Sequence, residues 1–174
     1  MTVIELEEGT AKIMIRAILA CDEEGGVGKD GNMPWPHNSA DLQWFKENTA
    51  GHAVVMGSST WESSQIPKPL PKRVNILATS RKENFPGAHH YINGDLKHEI
   101  GLYADDNPGI ITWIIGGANI IDQTLGIIDE FYISRIPGTY NCDTFLPLKK
   151  IETLFEKNWE EVHPGVTFEI WRKK

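Results

Sequence analysis

Few residues of this chain could do chemistry. Asp41 stands in Ala40-Asp-Leu-Gln-Trp-Phe-Lys46, an acid among Leu42, Trp44 and Phe45. Read as a solvated first-turn residue, it is an acid favoured by the helix dipole. Read as buried, its carboxyl is desolvated and its pKa rises above the ordinary value of about 3.9. It could then hold an ionisable heterocycle through paired hydrogen bonds, or take part in proton transfer. Gly116-Gly117 lies between an apolar run and a helical stretch. Glycines there let a helix start approach a phosphate closely, and they equally suit a plain turn. The three-glycine dinucleotide fingerprint is absent. Ser58-Ser59-Thr60, at another helix start, is a second candidate anion site of the same kind. Arg73 follows a Pro-rich turn and Arg81 follows a strand; each is either a ligand-binding cation or a solvated surface residue. The histidines have no metal-ligand spacing, and no Gly-x-Ser-x-Gly elbow is present.

These residues need elements to position them. Met14–Ala20 reads as a short buried strand. Residues 21–36 are rich in glycine and carry Pro34 and Pro36, which predicts a long functional loop. Asn38 or Ser39 caps a helix running to about Ala50, with Gly51 as its stop. Leu42, Phe45 and Thr49 share one face of it, and Asp41 lies one turn before Phe45. Strands follow over 53–56, 74–79 and 110–115, with a weaker one at 88–92. Ser58–Trp61 is a brief helix, and Pro67–Pro71 can be neither helix interior nor central strand. Residues 95–104 and the stretch from Gly117 to about Leu125 are helical. Three more strands are expected near 129–136, 151–162 and 166–172. The pattern predicts one α/β domain over residues 14–174. It has a mostly parallel central sheet of about eight strands, an antiparallel C-terminal edge and about four flanking helices. Residues 1–13 form either an added strand or a loose tail.

Composition narrows the function. The 174 residues suffice for one domain that needs no disulfide or metal staple. Lys and Arg number 17 against 24 Asp and Glu, a net charge of -7 with no basic run. That makes the chain a poor candidate for binding nucleic acid through phosphate contacts, while a few converging cations and backbone N–H groups could still bind a small anion. No stretch approaches the roughly 18 apolar residues of a membrane span, and the acidic N-terminus lacks a signal pattern. Cys21 and Cys142 are expected as free thiols in a reducing cytosol, so a cytoplasmic protein is expected.

Five segments, in order, resemble dihydrofolate reductases. They are Gly28-Lys-Asp-Gly-Asn-Met-Pro-Trp35, Ala40–Lys46, Val54-Val-Met-Gly-Ser-Ser-Thr-Trp-Glu62, Pro69-Leu-Pro-Lys-Arg-Val-Asn-Ile76 and Trp113-Ile-Ile-Gly-Gly117. Asp143-Thr-Phe-Leu-Pro147 adds a late Asp-Thr signature. The resemblance runs from Met14 to the C-terminus. It implies hydride transfer from NADPH to C6 of 7,8-dihydrofolate, with protonation of N5, in the service of one-carbon metabolism and thymidylate synthesis. It also implies a monomer that antifolates inhibit.

Roles follow from the resemblance residue by residue. Asp41 would bind the pterin N3 and 2-amino group, and Met33, Trp35 and Ser134 complete the expected catalytic group. Met33 and Trp35 belong to a mobile loop over the nicotinamide. Ile18, Ala20 and Ile115 would offer backbone contacts to pterin or nicotinamide, and Leu42, Phe45 and Ile66 would wall the folate. Arg73 would pair with the α-carboxylate of the glutamate tail. Ala20, Val27, Gly57, Ser58, Ser59, Thr60, Gly116, Gly117, Ala118, Asn119 and Ile120 would line the cofactor. Thr79, Ser80 and Arg81 would hold its 2′-phosphate. The chain departs from the family pattern in four ways. Ser58 replaces a cation, Ile121 replaces a Tyr near the nicotinamide, Ser134 replaces a Thr, and Ala118 and Cys142 stand where some members carry Gly. Two alternatives share the fold: the NADPH-dependent pyrimidine reductase of riboflavin synthesis, and a non-catalytic folate- or nucleotide-binding protein.

Overall fold

The computed structural model describes residues 14–174, so the two readings of 1–13 lie outside the described residues. In chain order the elements are β1 (Ile15–Cys21), β2 (Gly26–Gly28), α1 (Ser39–Thr49), β3 (Ala53–Gly57), α2 (Ser58–Glu62), β4 (Val74–Ala78) and β5 (His90–Ile92). The second half adds α3 (Leu96–Asp106), β6 (Thr112–Gly116), α4 (Ala118–Thr124), β7 (Glu130–Arg135), β8 (Thr144–Phe145), α5 (Leu148–Leu154), β9 (Phe155–His163) and β10 (Val166–Lys173). Eight strands form one sheet in the order β5-β4-β3-β6-β1-β7-β10-β9, and β2 pairs separately with β8. The ladders from β5 across to β7 are parallel. β10 runs antiparallel to both β7 and β9. The expected sheet and its antiparallel edge are present, with five α-helices in place of about four.

The extra helix, α5, corrects the strand expected over 151–162. Its sequence, Leu-Lys-Lys-Ile-Glu-Thr-Leu, buries only Ile151. One buried position gives no helical period to read, while Ile151 and Thr153 suggest a strand. Pro147 at the N-cap ends the preceding extended run, and extended backbone resumes at fully buried Phe155.

Helices cover both faces of the parallel part, so its strands are apolar on both sides. Every residue of β3 and β6 is buried. One face packs Ala17, Val55, Ile114 and Phe131 against Ile100 of α3 and Ile121 of α4. The other packs Ile18, Val54, Trp113 and Tyr132 against Trp44 of α1 and Trp61 of α2. Arg16 is buried on this second face, paired with Glu130 at 2.7 Å and lying over the Trp113 and Tyr132 rings.

The helix that carries Asp41 is held at three points. Asn38, in extended conformation, accepts the Asp41 backbone N–H on Oδ1 at 3.0 Å, which satisfies one of the free amides of the first turn. Its Nδ2 donates to the Gly165 carbonyl at 2.9 Å, tying the cap to the β9–β10 turn. Gly51 takes φ +82°, the left-handed conformation that stops a helix without a Cβ penalty. In the middle, the Trp44 ring stacks on Phe168 of β10 at 4.4 Å between centroids. Asn38→Ala should lower unfolding stability by about 1 kcal/mol, read as a shifted denaturant midpoint at unchanged slope.

Candidate active site

A cleft opens at the C-terminal ends of β1 and β6, beside the glycine-rich loop. Its first cavity, about 250 Å³, is lined by Met33, Trp35, Pro36, His37, Asn38, Asp41, Leu42 and Gln65. Its second, about 200 Å³, takes Leu19, Ala20 and Ile115 from the strand ends and Phe45 from α1. Val27 and Ile66 line it, as do Ser59 and Thr60 of α2, and Gly117 and Ala118 at the start of α4. Met33 and Gln65 line both cavities.

Asp41 is buried at 7% exposure, which decides between its two readings. The buried face of α1 is Asp41, Trp44, Asn48 and Thr49. Leu42 is exposed and lines the first cavity, while Trp44 packs toward the sheet against Phe168. Burial raises the Asp41 pKa above the ordinary carboxylate range, and the Ser134 hydroxyl on β7 opposes this more weakly. That hydroxyl is itself buried and makes no hydrogen bond of ordinary geometry within the described residues.

Ile18, 2% exposed, lies in the core and lines neither cavity. Gly116 has φ +132°, and a Cβ there would stand 3.3 Å from the Thr60 hydroxyl and 3.4 Å from Leu19 Cδ2. The close approach of these two strand-to-helix turns requires a glycine. A Cβ on Gly57 would meet Ile120 Cγ1 at 3.1 Å, so Ile120 serves first as packing beneath the turn. Ser58 is half-buried and Asn119 exposed. Ile121 is fully buried in the opposite core, facing away from the cleft where a nicotinamide-side residue was expected. Thr79 is half-buried at the end of β4, with Ser80 and Arg81 exposed beside it, and the Thr79 hydroxyl accepts the Arg81 backbone N–H at 3.1 Å.

Arg73 lines neither cavity but lies next to α1, its guanidinium over the Phe45 ring at 5.9 Å. Its Nε donates to the Pro71 carbonyl at 2.9 Å and Nη1 to the Thr49 hydroxyl at 3.0 Å. The loop beneath it is set by Asn75, fully buried in β4. Asn75 Oδ1 accepts the Leu70 N–H, and its Nδ2 donates to the Leu70 and Arg73 carbonyls. Sequence reasoning missed Asn75; its signal is an amide inside an otherwise apolar strand.

The glycine-rich loop is pinned from two sides. On one, Asp143 Oδ2 accepts the Asp30 N–H at 3.0 Å and its backbone N–H donates to the Gly28 carbonyl at 2.9 Å, extending the β2–β8 pairing. The Asp30 N–H first, and then the Thr144 hydroxyl, which donates to Asp143 Oδ1 at 2.9 Å, hold the Asp143 carboxyl below its ordinary pKa. On the other, Gln65 and Ser63 contact Met33 and Asn32. Gln65, too, was missed, because a polar residue in a loop carries no pattern that marks a contact. Both cysteines are free, and burial pushes the Cys21 thiol up to about 12, far from a nucleophile. Among the described residues no group of His, Cys, Asp and Glu could hold a metal ion.

The fold and the cleft define a class: an open, mostly parallel α/β sheet that takes its ligands at the strand ends, over a buried acid. The family model described as dihydrofolate reductase matches residues 14–167. The chain is similar to dihydrofolate reductase type 8 of Escherichia coli, 30% identical over 93% of this chain and 97% of that one. It is also similar to the dihydrofolate reductase of Haemophilus influenzae, 32% identical over 90% and 86% respectively. Among solved structures it resembles the Enterococcus faecalis dihydrofolate reductase complexed with NADP(H) and RAB-propyl. That match has a TM-score of 0.77 and 29% identity over 92% of this chain and 96% of that one. The chain belongs to the dihydrofolate reductase family.

Proposed function

We infer that the protein reduces 7,8-dihydrofolate to tetrahydrofolate with NADPH. The observation that carries this reading is the buried Asp41 carboxylate on the wall of a cleft whose other end is the Ala20–Ile115–Gly117 strand-end surface. Asp41 supplies two acceptor oxygens on one edge, which suits the adjacent N3–H and 2-amino group of a pterin. Phe45 and Ile66 wall the flat ring, and Arg73 faces the tail. This set does not fit the rival ribosylated pyrimidine, which lacks a glutamate tail.

NADPH, when bound, supplies the hydride. The cleft fits it: the glycine turn at Gly116-Gly117 leaves room beside the Ser59 and Thr60 hydroxyls. Thr79, Ser80 and Arg81 offer hydroxyls and a cation for the 2′-phosphate. The chain's own part is to hold ring and cofactor in register, which removes several kcal/mol of positioning entropy from the barrier. It also presents the Asp41 carboxyl to the pterin and excludes bulk water beneath Met33 and Trp35. The proton reaches N5 through water, because the carboxylate binds the opposite edge of the ring. The same reading makes the protein a cytoplasmic monomer and a target for antifolates. Among the described residues no helix is long and apolar enough to cross a membrane.

The test is NADPH consumption with dihydrofolate against the ribosylated aminopyrimidine as rival substrate. Consumption is expected with dihydrofolate only, and the reverse preference overturns the reading. The 2′-phosphate site yields a separate prediction. Ser58 offers no charge, and Arg81 is exposed. Arg81→Ala should therefore reduce the NADPH:NADH ratio of kcat/KM by only about 2- to 5-fold, as expected of an exposed cation. High salt should shrink the effect further. An unchanged ratio at low salt would place the phosphate elsewhere.

A further inference from the structure

The two cavities of the cleft are separated by a strap built from one side chain. Gln65, in the loop after α2, faces the backbone of Met33 across the cleft mouth. Its Oε1 accepts the Met33 N–H at 2.6 Å, and its Nε2 donates to the Met33 carbonyl at 3.0 Å. A carboxamide here does what a neighbouring strand would do, satisfying both polar groups of one residue at once. Beside it, Asn32 Oδ1 accepts from the Ser63 hydroxyl at 3.1 Å and from Ser64 at 3.5 Å. The Asp143 contacts hold the loop by its far side, at Gly28 and Asp30. The Gln65 pair therefore fixes the free side, the one that lies over the cleft.

We propose that Gln65 is a positioning residue for the reaction, whose reciprocal hydrogen bonds to Met33 hold the glycine-rich loop closed across the cleft and slow the release of bound ligand. The proposal rests on the reductase reading of the cleft. A pterin on Asp41 and a nicotinamide at Ile115 and Gly117 must meet at the boundary that Met33 and Gln65 share. The strap acts on the loop backbone and touches neither reacting atom.

The pair needs both a donor and an acceptor, which makes Gln65→Glu more informative than truncation. An ionised Glu accepts the Met33 N–H but sets a negative oxygen against the Met33 carbonyl. A protonated Glu regains an O–H donor and restores the reciprocal pair. The exchange turns over near the ordinary Glu value of about 4.3. His37 and Asp41 share the cavity with Gln65, Lys29 and Asp30 lie on the loop, and Glu62 ends α2. The parent protein keeps all five and is the control at each pH.

The experiment measures the dissociation rate of NADPH from the full-length protein by stopped-flow fluorescence, across pH, for the parent, Gln65→Ala and Gln65→Glu. Hydrogen exchange at the Met33 amide is followed alongside. Gln65→Ala should release NADPH about 3- to 30-fold faster, the worth of two solvent-accessible hydrogen bonds, and lose Met33 protection at every pH. The release rate of Gln65→Glu should match that of Gln65→Ala at neutral pH and approach the parent below its carboxyl pKa. Release rates and Met33 exchange equal to the parent in both variants overturn the proposal. So does a Gln65→Glu rate that differs from the parent without depending on pH, since a merely structural role predicts that. A parent that binds no NADPH defeats the reductase reading instead, and Met33 exchange alone then decides whether the strap exists.

Discussion

Asp41→Asn should slow hydride transfer to dihydrofolate at neutral pH by about 30- to 1000-fold. The substitution keeps the shape of the side chain but removes its charge and one of two acceptors. A charge-assisted pair in a site shielded from water supplies about 2–4 kcal/mol of transition-state binding, which sets that range. Two further results follow from the burial of Asp41. The loss should be partly rescued at low pH, where N5 of the substrate arrives protonated. The variant should also be the more stable protein at neutral pH without ligand. The sign comes from linkage: burial raises the folded-state pKa, so the folded protein favours the protonated acid. That preference is fully present below the unfolded-state pKa and is lost as pH rises through the folded value. Above it, the parent holds a desolvated charge that Asn does not carry. The stability gap should therefore close on acidification, as thermal unfolding across pH would show. Equal hydride-transfer rates for variant and parent at neutral pH would remove Asp41 from the mechanism.

Arg73→Ala should raise KM for dihydrofolate by about 10- to 100-fold, the worth of a charge-assisted ion pair, with little change for a dihydropterin that lacks the glutamate tail. Two of the five guanidinium donors are committed, to the Pro71 carbonyl and the Thr49 hydroxyl. Those two bonds and the Phe45 ring fix the plane of the group. No carboxylate among the described residues pairs with it. A cation held rigid and without a counterion is arranged for one that arrives with the substrate. Steady-state kinetics with the two substrates separates binding from structure: an equal loss on both would make Arg73 a brace for α1 and nothing more.

Much of this arrangement is legible in the sequence for physical reasons. β3 is a short, wholly apolar run and β6 departs from one only at Thr112; both end at glycine, the mark of strands buried on both faces. α1 carries its cap and stop at Asn38 and Gly51. The set Asp41, Phe45, Ile66, Gly117 and Ala118 is brought to one cleft as expected. The readings that failed depended on contacts between distant segments. α5 folds as a helix because Ile151 finds the core, a single anchor with no period around it. β2 and β8 are three and two residues long and exist through each other, so neither has a pattern of its own. Trp44 turns toward the sheet because Phe168 of β10 offers it a stacking partner, a contact with no trace in the spacing of α1. Ile121 faces the core, since a fully apolar side chain on α4 gains more there than at the cleft. Gln65 and Asn75 act through amides on backbone groups, an interaction with no periodic signature.

The measurement that tests the reductase reading most directly follows the hydride itself. NADPH deuterated on the transferred position of nicotinamide C4 is mixed with 7,8-dihydrofolate and the protein, and the folate product is examined by NMR. The account predicts tetrahydrofolate carrying one deuterium at C6 and a solvent-derived proton on N5, formed in step with the loss of NADPH absorbance. NADPH oxidised without label reaching C6, or no oxidation with dihydrofolate present, would contradict it.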